Sequence, residues 1–232
     1  MATVLIVGDT PAPCMRRGYV DFLKATADRW QPARVVHIGD LVDNCAYSYH
    51  EKHPRLKDPK RERDRAAAQV KRLTDAFPYC DLMIGNHDAL TRRQAISAGL
   101  DPDVLIAFRD YWQLPLGWEV HPRFSTHQIE GVLYSHGDRG GGGLNAAATT
   151  AKAEFASCVI GHHHSNAGVT WHANQSSRVF GLSVGCGVDA SQLAMDYGRK
   201  FTRKPILGCG IVVDGKRAFF EPWTLKTRTT RK

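Results

Sequence analysis

The sequence alternates short apolar runs with longer stretches of helical periodicity. The apolar runs are rich in Val and Ile, which is typical of buried strands. These predicted strands cover 3–7, 34–38, 80–84, 131–135 and 157–160. Apolar residues at helical spacing predict helices at 16–30, 61–77, 102–112 and 144–155. Strands that alternate with helices indicate an α/β arrangement with many parallel neighbours.

The last third of the chain has a different pattern. Runs at 168–173, 178–184 and 208–220 predict further strands, and Asp214-Gly215 is a hairpin signal inside the last run. We expect these strands to form a second, more antiparallel sheet. A chain of 232 residues can bury one substantial core without a second domain, so we expect one domain over 1–224 and a basic tail at 225–232.

Five of the apolar runs end in Gly or Ser followed directly by a residue of metal-ligand type. The carboxyl ends of strands in an α/β sheet line a common edge, so we expect these residues to converge in space. Turn chemistry explains a single Gly-Asp, but turns do not favour histidine. The junctions are Gly8-Asp9, Gly39-Asp40, Gly85-Asn86-His87-Asp88, Ser135-His136-Gly137-Asp138 and Gly161-His162-His163-His164.

The donor types at these junctions predict a metal centre. Carboxylate and amide oxygens mixed with imidazoles suit Mn²⁺, Fe or Zn²⁺ better than Ca²⁺, which takes oxygen ligands alone. A carboxylate shared by two ions holds them about 4 Å apart.

These junctions resemble the calcineurin-like metallophosphoesterases, whose blocks run D-x-H, GD-x-x-D, GNH-D/E, H and GH-x-H in this order. The match covers residues 3 to 164. The resemblance implies an α/β fold in which two mixed sheets form a sandwich flanked by helices. It also implies two divalent metal ions, with Mn²⁺ as the first choice and Fe or Zn²⁺ as alternatives, and hydrolysis of a phosphate ester by metal-activated hydroxide.

The resemblance also implies a role for each junction residue. The first metal ion would be held by Asp9, Asp40 and His164, and the second by Asp40, Asn86, His136 and His162. Asp40 is then the bridging ligand at the catalytic centre, and His87 matches the general acid that protonates the leaving oxygen.

Three residues beside these blocks have weaker assignments. Asp43 and Asp88 match outer carboxylates, and we expect them to orient histidines. His163 lies between two ligands, and strand-like alternation predicts that it points away.

The first block departs from the family pattern, because it reads Asp9-Thr10-Pro11 where D-x-H is expected. Proline has no donor atom to replace the imidazole, so we expect the first metal site to be weak. Cys14 is near enough in sequence to substitute as a ligand, although a small buried apolar residue is the alternative interpretation.

The net charge of +8 is concentrated in two segments. Residues 51–72 contain nine Lys/Arg against four Asp/Glu, and the tail 225–232 adds four more Lys/Arg. Such segments favour a polyanionic partner, and a solvated helix face is the alternative. We therefore expect a phosphodiesterase or nuclease that binds nucleic acid through both segments. A phosphomonoesterase acting on small molecules or phosphoproteins, and a non-catalytic binding module, remain as alternatives.

Cysteine spacing and hydropathy bear on the cellular compartment. The six cysteines lie far apart without a CxxC pair, which favours reduced thiols. The sequence lacks an apolar run of about 18 residues, so we expect a cytoplasmic protein without a signal peptide or a membrane span.

Overall fold

A computed structural model of the protein describes residues 2–139, 141 and 143–224, so the expected tail at 225–232 lies outside the described residues. The α-helices are α1 (Tyr19–Trp30), α2 (Pro59–Ala76), α3 (Leu90–Ser97), α4 (Phe108–Tyr111) and α5 (Ala146–Glu154). The strands of the first half are β1 (Thr3–Val7), β2 (Arg34–His37), β3 (Cys80–Met83) and β4 (Trp118–His121). The later strands are β5 (His127–Ile129), β6 (Val132–Ser135), β7 (Ser157–Ile160), β8 (Ala167–Ala173), β9 (Arg178–Val184), β10 (Gly208–Val213) and β11 (Arg217–Pro222).

The strands form two mixed sheets. The first sheet has the order β11-β10-β1-β2-β3-β4, and the second has the order β5-β6-β7-β9-β8. Strands β1 to β4 are parallel to one another, and so are β6, β7 and β9. The antiparallel strands β10, β11, β5 and β8 complete the sheets on their outer sides.

The side chains of β1 explain why the sheets stack between helices. Leu5 and Val7 belong to the apolar core that also contains residues of α1 and α2. Val4 and Ile6, on the opposite face of the strand, belong to the core between the two sheets. Helix α5 packs on β7 and β9 of the second sheet. The predicted fold class, α/β with two mixed sheets flanked by helices, is confirmed.

A second sheet is present, but the expectation that all of the late strands form it is wrong, because these strands divide between the two sheets. Strand β10 pairs antiparallel with β1, with Cys209 opposite Val7, while β8 and β9 extend the second sheet. All six residues of β10 are buried. A strand that is buried on both faces needs a neighbouring strand on each side and a packed layer on each face. The position of β10 between β1 and β11, inside the layered fold, meets both requirements.

The predicted helix at 102–112 is also wrong. A 3₁₀ turn at Pro102–Val104 is capped by the Asp101 carboxylate, and helix α4 then covers only four residues. The predicted periodicity has no partner surface, since Val104 and Ile106 are largely exposed. Among the described residues, none of the helices has the length and apolar character needed to cross a membrane.

Candidate metal centre

The predicted ligands follow the ends of adjacent strands in both sheets. Asp9 and Asp40 follow β1 and β2, which are paired, and His136 and His162 follow β6 and β7, which are also paired. Among the predicted ligands, two groups of three residues each have donor atoms that lie within 4.8 Å of one another. One group is Asp9, Asp40 and His164, and the other is Asp40, His136 and His162. Asp40 belongs to both, which is the arrangement that a bridging ligand requires.

Glycine before a ligand allows neighbouring ligand loops to approach closely. A Cβ atom on Gly85 would overlap the Oδ1 atom of Asp40, and a Cβ atom on Gly161 would overlap the Oδ1 atom of Asp9. Both contacts involve buried carboxylates that cannot move aside. The glycines in these junctions therefore serve the packing of the centre as well as its turns.

Two ligand residues have left-handed backbone conformations. Asp40 has a φ of 50° and His162 has a φ of 63°. Such conformations cost non-glycine residues of order 1–3 kcal/mol each, and they persist only where the surrounding structure imposes them. Here the turn directs each side chain back toward the shared sheet edge.

The hydrogen bonds of His136 show which tautomer is present. Its Nδ1 atom lies 3.0 Å from the Ile38 carbonyl oxygen, an acceptor, so Nδ1 carries a proton. Its Nε2 atom lies 3.0 Å from Asn86 Oδ1 and 3.4 Å from Asp40 Oδ2. Burial would lower the pKa of His136, but the Asp40 charge outweighs it and raises the pKa to about 10. An Nε2 atom surrounded by oxygen acceptors needs a second proton or a cation, which is the environment that a metal ion satisfies.

The carboxylates of Asp9 and Asp40 are almost fully buried. The Oδ2 atom of Asp9 lies 2.9 Å from His164 Nε2, and the Asp9 carboxylate also accepts the backbone N–H of His162. Asp40 Oδ1 accepts the backbone N–H of His87 at 2.8 Å. Burial would raise the pKa of Asp40, but positive charge on His136 and His87 outweighs burial and holds that pKa well below its usual range. Buried carboxylates next to imidazoles fit a pair of divalent cations.

His87 is held by Asp43 on one side and faces a cavity on the other. The Nδ1 atom of His87 lies 2.9 Å from the Asp43 carbonyl oxygen and 3.1 Å from Asp43 Oδ1. The Asn44 side chain donates to the His87 carbonyl oxygen at 3.0 Å. Burial would lower the pKa of His87, but the charge of Asp40 and the hydrogen bond to Asp43 raise it to about 10. With Nδ1 engaged, Nε2 is the nitrogen that a ligand in the cavity can reach.

Asp88 has a different contact from the one we expected. Its Oδ2 atom accepts the Gly85 N–H at 2.9 Å and its Oδ1 atom accepts the Val42 N–H at 3.0 Å. Asp88 therefore ties the loops after β2 and β3 together through their backbones. Burial and the Asp40 charge raise its pKa to about 7.

The first block folds without a replacement for the missing imidazole at Pro11. The neighbouring Thr10 and Ala12 N–H groups donate to the carbonyl oxygens of Asp40 and Leu41 at 3.1 and 2.9 Å, which fixes the loop beside Pro11. Cys14 packs in a small apolar cluster with Cys186, Val188 and Met195. Burial raises the pKa of the Cys14 thiol, which opposes the thiolate form that binds metals.

A cavity of about 430 Å³ opens beside the predicted ligands. One wall contains Asp40, His87 and 162–164, so His163 lines the cavity. We expected His163 to point away by strand alternation, but β7 ends at Ile160 and 162–164 is not part of a strand.

The opposite wall of this cavity comes from a segment that sequence reasoning missed. It belongs to 188–205, and it includes Phe201, Arg203 and Lys204. Phe201 is 52% exposed, and Lys200 Nζ lies 5.5 Å from the centre of its ring. The sequence feature that could have indicated this wall is Phe201 followed closely by Arg203 and Lys204. These residues lie in a stretch without the periodicity of a helix or a strand.

The basic segment 51–72 divides into paired and cavity-lining side chains. Lys60, Lys71 and Arg72 form ion pairs with Asp64, Asp75 and Asp21, respectively. In contrast, Arg55, Arg61 and Arg65 line a smaller cavity of about 140 Å³ that also touches Asp43. The segment is thus partly a solvated helix face and partly the wall of a cavity near the metal centre.

Comparisons with known proteins find similar solved structures at low sequence identity. The sequence matches no model of a known protein family, and it matches no curated protein. YfcE, a phosphoesterase from E. coli, is 13% identical with a TM-score of 0.44, over 91% of this chain and 88% of that chain. Vacuolar protein sorting 29 from Cryptosporidium parvum is 15% identical with a TM-score of 0.45, over 90% of this chain and 83% of that chain. Vps29 from Chaetomium thermophilum is 10% identical with a TM-score of 0.43, over 91% and 84% of the two chains.

Solved structures with the calcineurin-like metallophosphoesterase fold are thus similar to this chain, as the sequence blocks predict. With TM-scores below 0.5, they add no weight to the proposals that follow.

Proposed function

We propose that the protein is a metal-dependent phosphoesterase that hydrolyses phosphodiesters of nucleotides or nucleic acid. The observation that carries the proposal is Asp40, which belongs to two groups of metal-ligand atoms and lines the same cavity as His87. A shared buried carboxylate, imidazole donors and a separate proton donor are the parts that hydrolysis of a phosphate ester needs.

The roles follow from the positions of the side chains. Asp9, Asp40 and His164 would hold one divalent cation, while Asp40, Asn86, His136 and His162 would hold the other. The two cations, Mn²⁺ by preference with Fe or Zn²⁺ as alternatives, would supply Lewis-acid activation of water and neutralise phosphoryl oxygens. His87 donates a proton from Nε2 to the leaving oxygen, and Asp43 orients it by accepting from Nδ1.

The wall opposite the ligands supports a diester of a nucleotide as the substrate. Phe201 offers an exposed ring on which a base can stack, and Arg203 and Lys204 are cations that pair with phosphate. A phosphomonoester would also place its phosphate at the ligands but would leave this wall without a contact. A phosphomonoesterase and a non-catalytic binding module are therefore the second and third candidates.

Metal analysis combined with two model substrates tests this proposal. We expect the purified protein to contain divalent metal and to hydrolyse bis-p-nitrophenyl phosphate faster than p-nitrophenyl phosphate. His87→Gln should reduce turnover, whereas His50→Gln, which alters an exposed histidine outside the cavity, should not.

Each of the other results selects a different candidate. Preference for the monoester would favour the phosphomonoesterase. Bound metal without turnover of either ester would favour a binding module.

A further inference from the structure

A second group of metal-ligand side chains lies outside the centre described above. It consists of Asp81 on β3, His121 on β4 and His127 on β5, and one donor atom from each lies within 4.8 Å of the others. Asp81 Oδ1 is 3.1 Å from His121 Nε2 and 3.5 Å from His127 Nε2. The group shares no residue with the ligands assigned to the phosphoesterase centre.

The fold places this group where the chain crosses between the sheets. Strand β4 is an edge of the first sheet and β5 is an edge of the second, and only residues 122–126 connect them. Met83, two residues after Asp81 on the same face of β3, belongs to the core between the sheets. Tyr134, opposite His127 in the ladder, belongs to the same core. The group therefore lies at the open edge of the core, on strands that fix its geometry.

Burial and geometry are those of a metal site with rigid ligands. The three side chains are only 8%, 15% and 20% exposed for Asp81, His121 and His127. Ligands about 2.0–2.1 Å from one tetrahedral ion lie roughly 3.3 Å from one another. The two separations from Asp81 Oδ1, 3.1 and 3.5 Å, bracket that value. A cation can thus be accommodated with small side-chain adjustments.

Charged side chains on neighbouring strands surround the group. Arg34 Nη2 donates to Asp81 Oδ2 at 2.8 Å, which leaves Oδ1 toward both imidazoles. Glu119 is opposite Asp81 in the β3–β4 ladder, so a second carboxylate lies on the same face of the sheet. Arg34 Nη2 also lies 3.4 Å from His127 Nε2, a contact in which the ring nitrogen accepts. The lone pair of that nitrogen therefore faces Arg34, and a bound cation would replace this contact while the 43% exposed Arg34 side chain keeps its contact with Oδ2.

We propose that Asp81, His121 and His127 form a Zn²⁺ site, with a fourth position open to water. Two imidazoles and one carboxylate are a ligand set that zinc takes in proteins, and hard cations that require all-oxygen ligands are disfavoured by it. The ion links the edge of one sheet to the edge of the other across the connection at 122–126. Zn²⁺ that binds only the folded protein raises its stability, so we expect the ion to stabilise this edge of the fold.

Zinc stoichiometry in matched variants tests the site. After equilibrium dialysis against Zn²⁺, we expect His121→Gln and His127→Gln each to bind one ion fewer than the wild type, with near-UV circular dichroism that matches the wild type. His50→Gln, the exposed control, should bind as many ions as the wild type. Equal stoichiometry in the wild type and in both cluster variants would overturn the proposal. Because the comparison counts ions and not turnover, it holds whether or not the protein is a phosphoesterase.

Spectroscopy on the unaltered chain gives a second test that does not depend on the folding of a variant. Co²⁺ substituted into a four-coordinate site absorbs visible light strongly, and we expect this absorption to appear in the wild type and to disappear on addition of Zn²⁺.

We also expect Zn²⁺ to raise the Tm of the Asp40→Asn protein, and this rise to be absent from the Asp40→Asn/His127→Gln double variant. A wild type without the Co²⁺ absorption, or a Zn²⁺ shift retained in the double variant, would overturn the site.

Discussion

The Nδ1 atom of His87 lies 3.1 Å from the carboxylate of Asp43 and 2.9 Å from the carbonyl oxygen of the same residue. Two acceptors from one residue fix both the tautomer and the orientation of the ring. Asp43 is itself buried, and its other carboxylate oxygen has no hydrogen-bond partner among the described residues. The Asp43 carboxylate therefore interacts mainly with His87, and its removal should first change the orientation and pKa of that histidine.

We expect Asp43→Asn to move the alkaline limit of activity to lower pH. An acid acts in its protonated form, which is populated below its pKa, and in the metal-free protein the charges of Asp40 and Asp43 keep the pKa of His87 raised to about 10. Neutralising Asp43 removes one of these charges, so His87 loses its proton at lower pH. The pH dependence of kcat for bis-p-nitrophenyl phosphate measures the shift. The exposed variant Asp75→Asn is the control and should leave the pH profile unchanged. An unchanged profile in Asp43→Asn would contradict the assigned contact.

The variants Asp40→Asn and His87→Gln should fail in different ways. Asp40→Asn removes the charge shared by both groups of ligand atoms, so bound metal and activity should fall together. His87→Gln leaves the ligands in place, so metal content should persist while kcat falls about 10²–10⁴-fold, the usual contribution of a general acid. Elemental analysis of each purified variant, combined with kcat, separates the two roles. Equal loss of metal in both would show that His87 is a ligand and not the acid.

The convergence of the candidate ligands was largely predictable from sequence because these residues follow strands. A run such as Thr3–Val7 is buried on both faces, so its apolar composition identifies it, and Asp9 must then lie at the sheet edge. Because β1 and β2 pair in parallel, the loops that contain Asp9 and Asp40 are neighbours. At these positions the local sequence pattern and the fold both place the residues at the edge of the sheet.

The parts that the sequence did not predict depend on contacts between distant segments. Strands β4 and β5 have four and three residues, too few for alternation to distinguish them from loops, so the group around His121 and His127 was not foreseen. Phe201 lines the cavity beside the candidate ligands although it is far from them in sequence. Val104 and Ile106 fit a helical period, but no layer of the fold covers them.

Charge reversal at Arg61 and Arg65 should weaken binding of nucleic acid and reduce its dependence on salt. Both side chains line the smaller cavity beside Asp43, and affinity for a polyanion falls with salt in proportion to the phosphates contacted. Reversal of Lys60 and Lys71 changes the charge of α2 equally. Those side chains are paired with Asp64 and Asp75 and line neither described cavity, so this control should have a smaller effect. Fluorescence anisotropy of a labelled oligonucleotide at several salt concentrations measures both slopes, and equal slopes would refute the assigned surface.

The two metal positions should differ in affinity because Pro11 replaces an imidazole at one of them. An ion at Asp9, Asp40 and His164 would have three protein ligands, whereas an ion at Asp40, His136 and His162 would gain a fourth from Asn86, which lies 3.0 Å from His136. Fewer protein donors leave more positions to water and weaken binding. We therefore expect one tight and one labile ion at the phosphoesterase centre, and activity that rises with added Mn²⁺.

Pro11→His tests this explanation by restoring the expected donor. The loop is fixed by the N–H groups of Thr10 and Ala12, which proline does not supply, so these hydrogen bonds can persist in the variant. Removing the φ restriction of proline also lets the loop adjust so that the imidazole can face Asp9. Isothermal titration with Mn²⁺ should show the weaker event tighten in the variant, and activity should saturate at lower Mn²⁺. Two equally tight ions in the wild type would mean that another donor already completes the first position, and Cys14→Ser would be the variant to examine next. A single ion that supports full activity would make the enzyme mononuclear, because Asp40 would then bridge nothing.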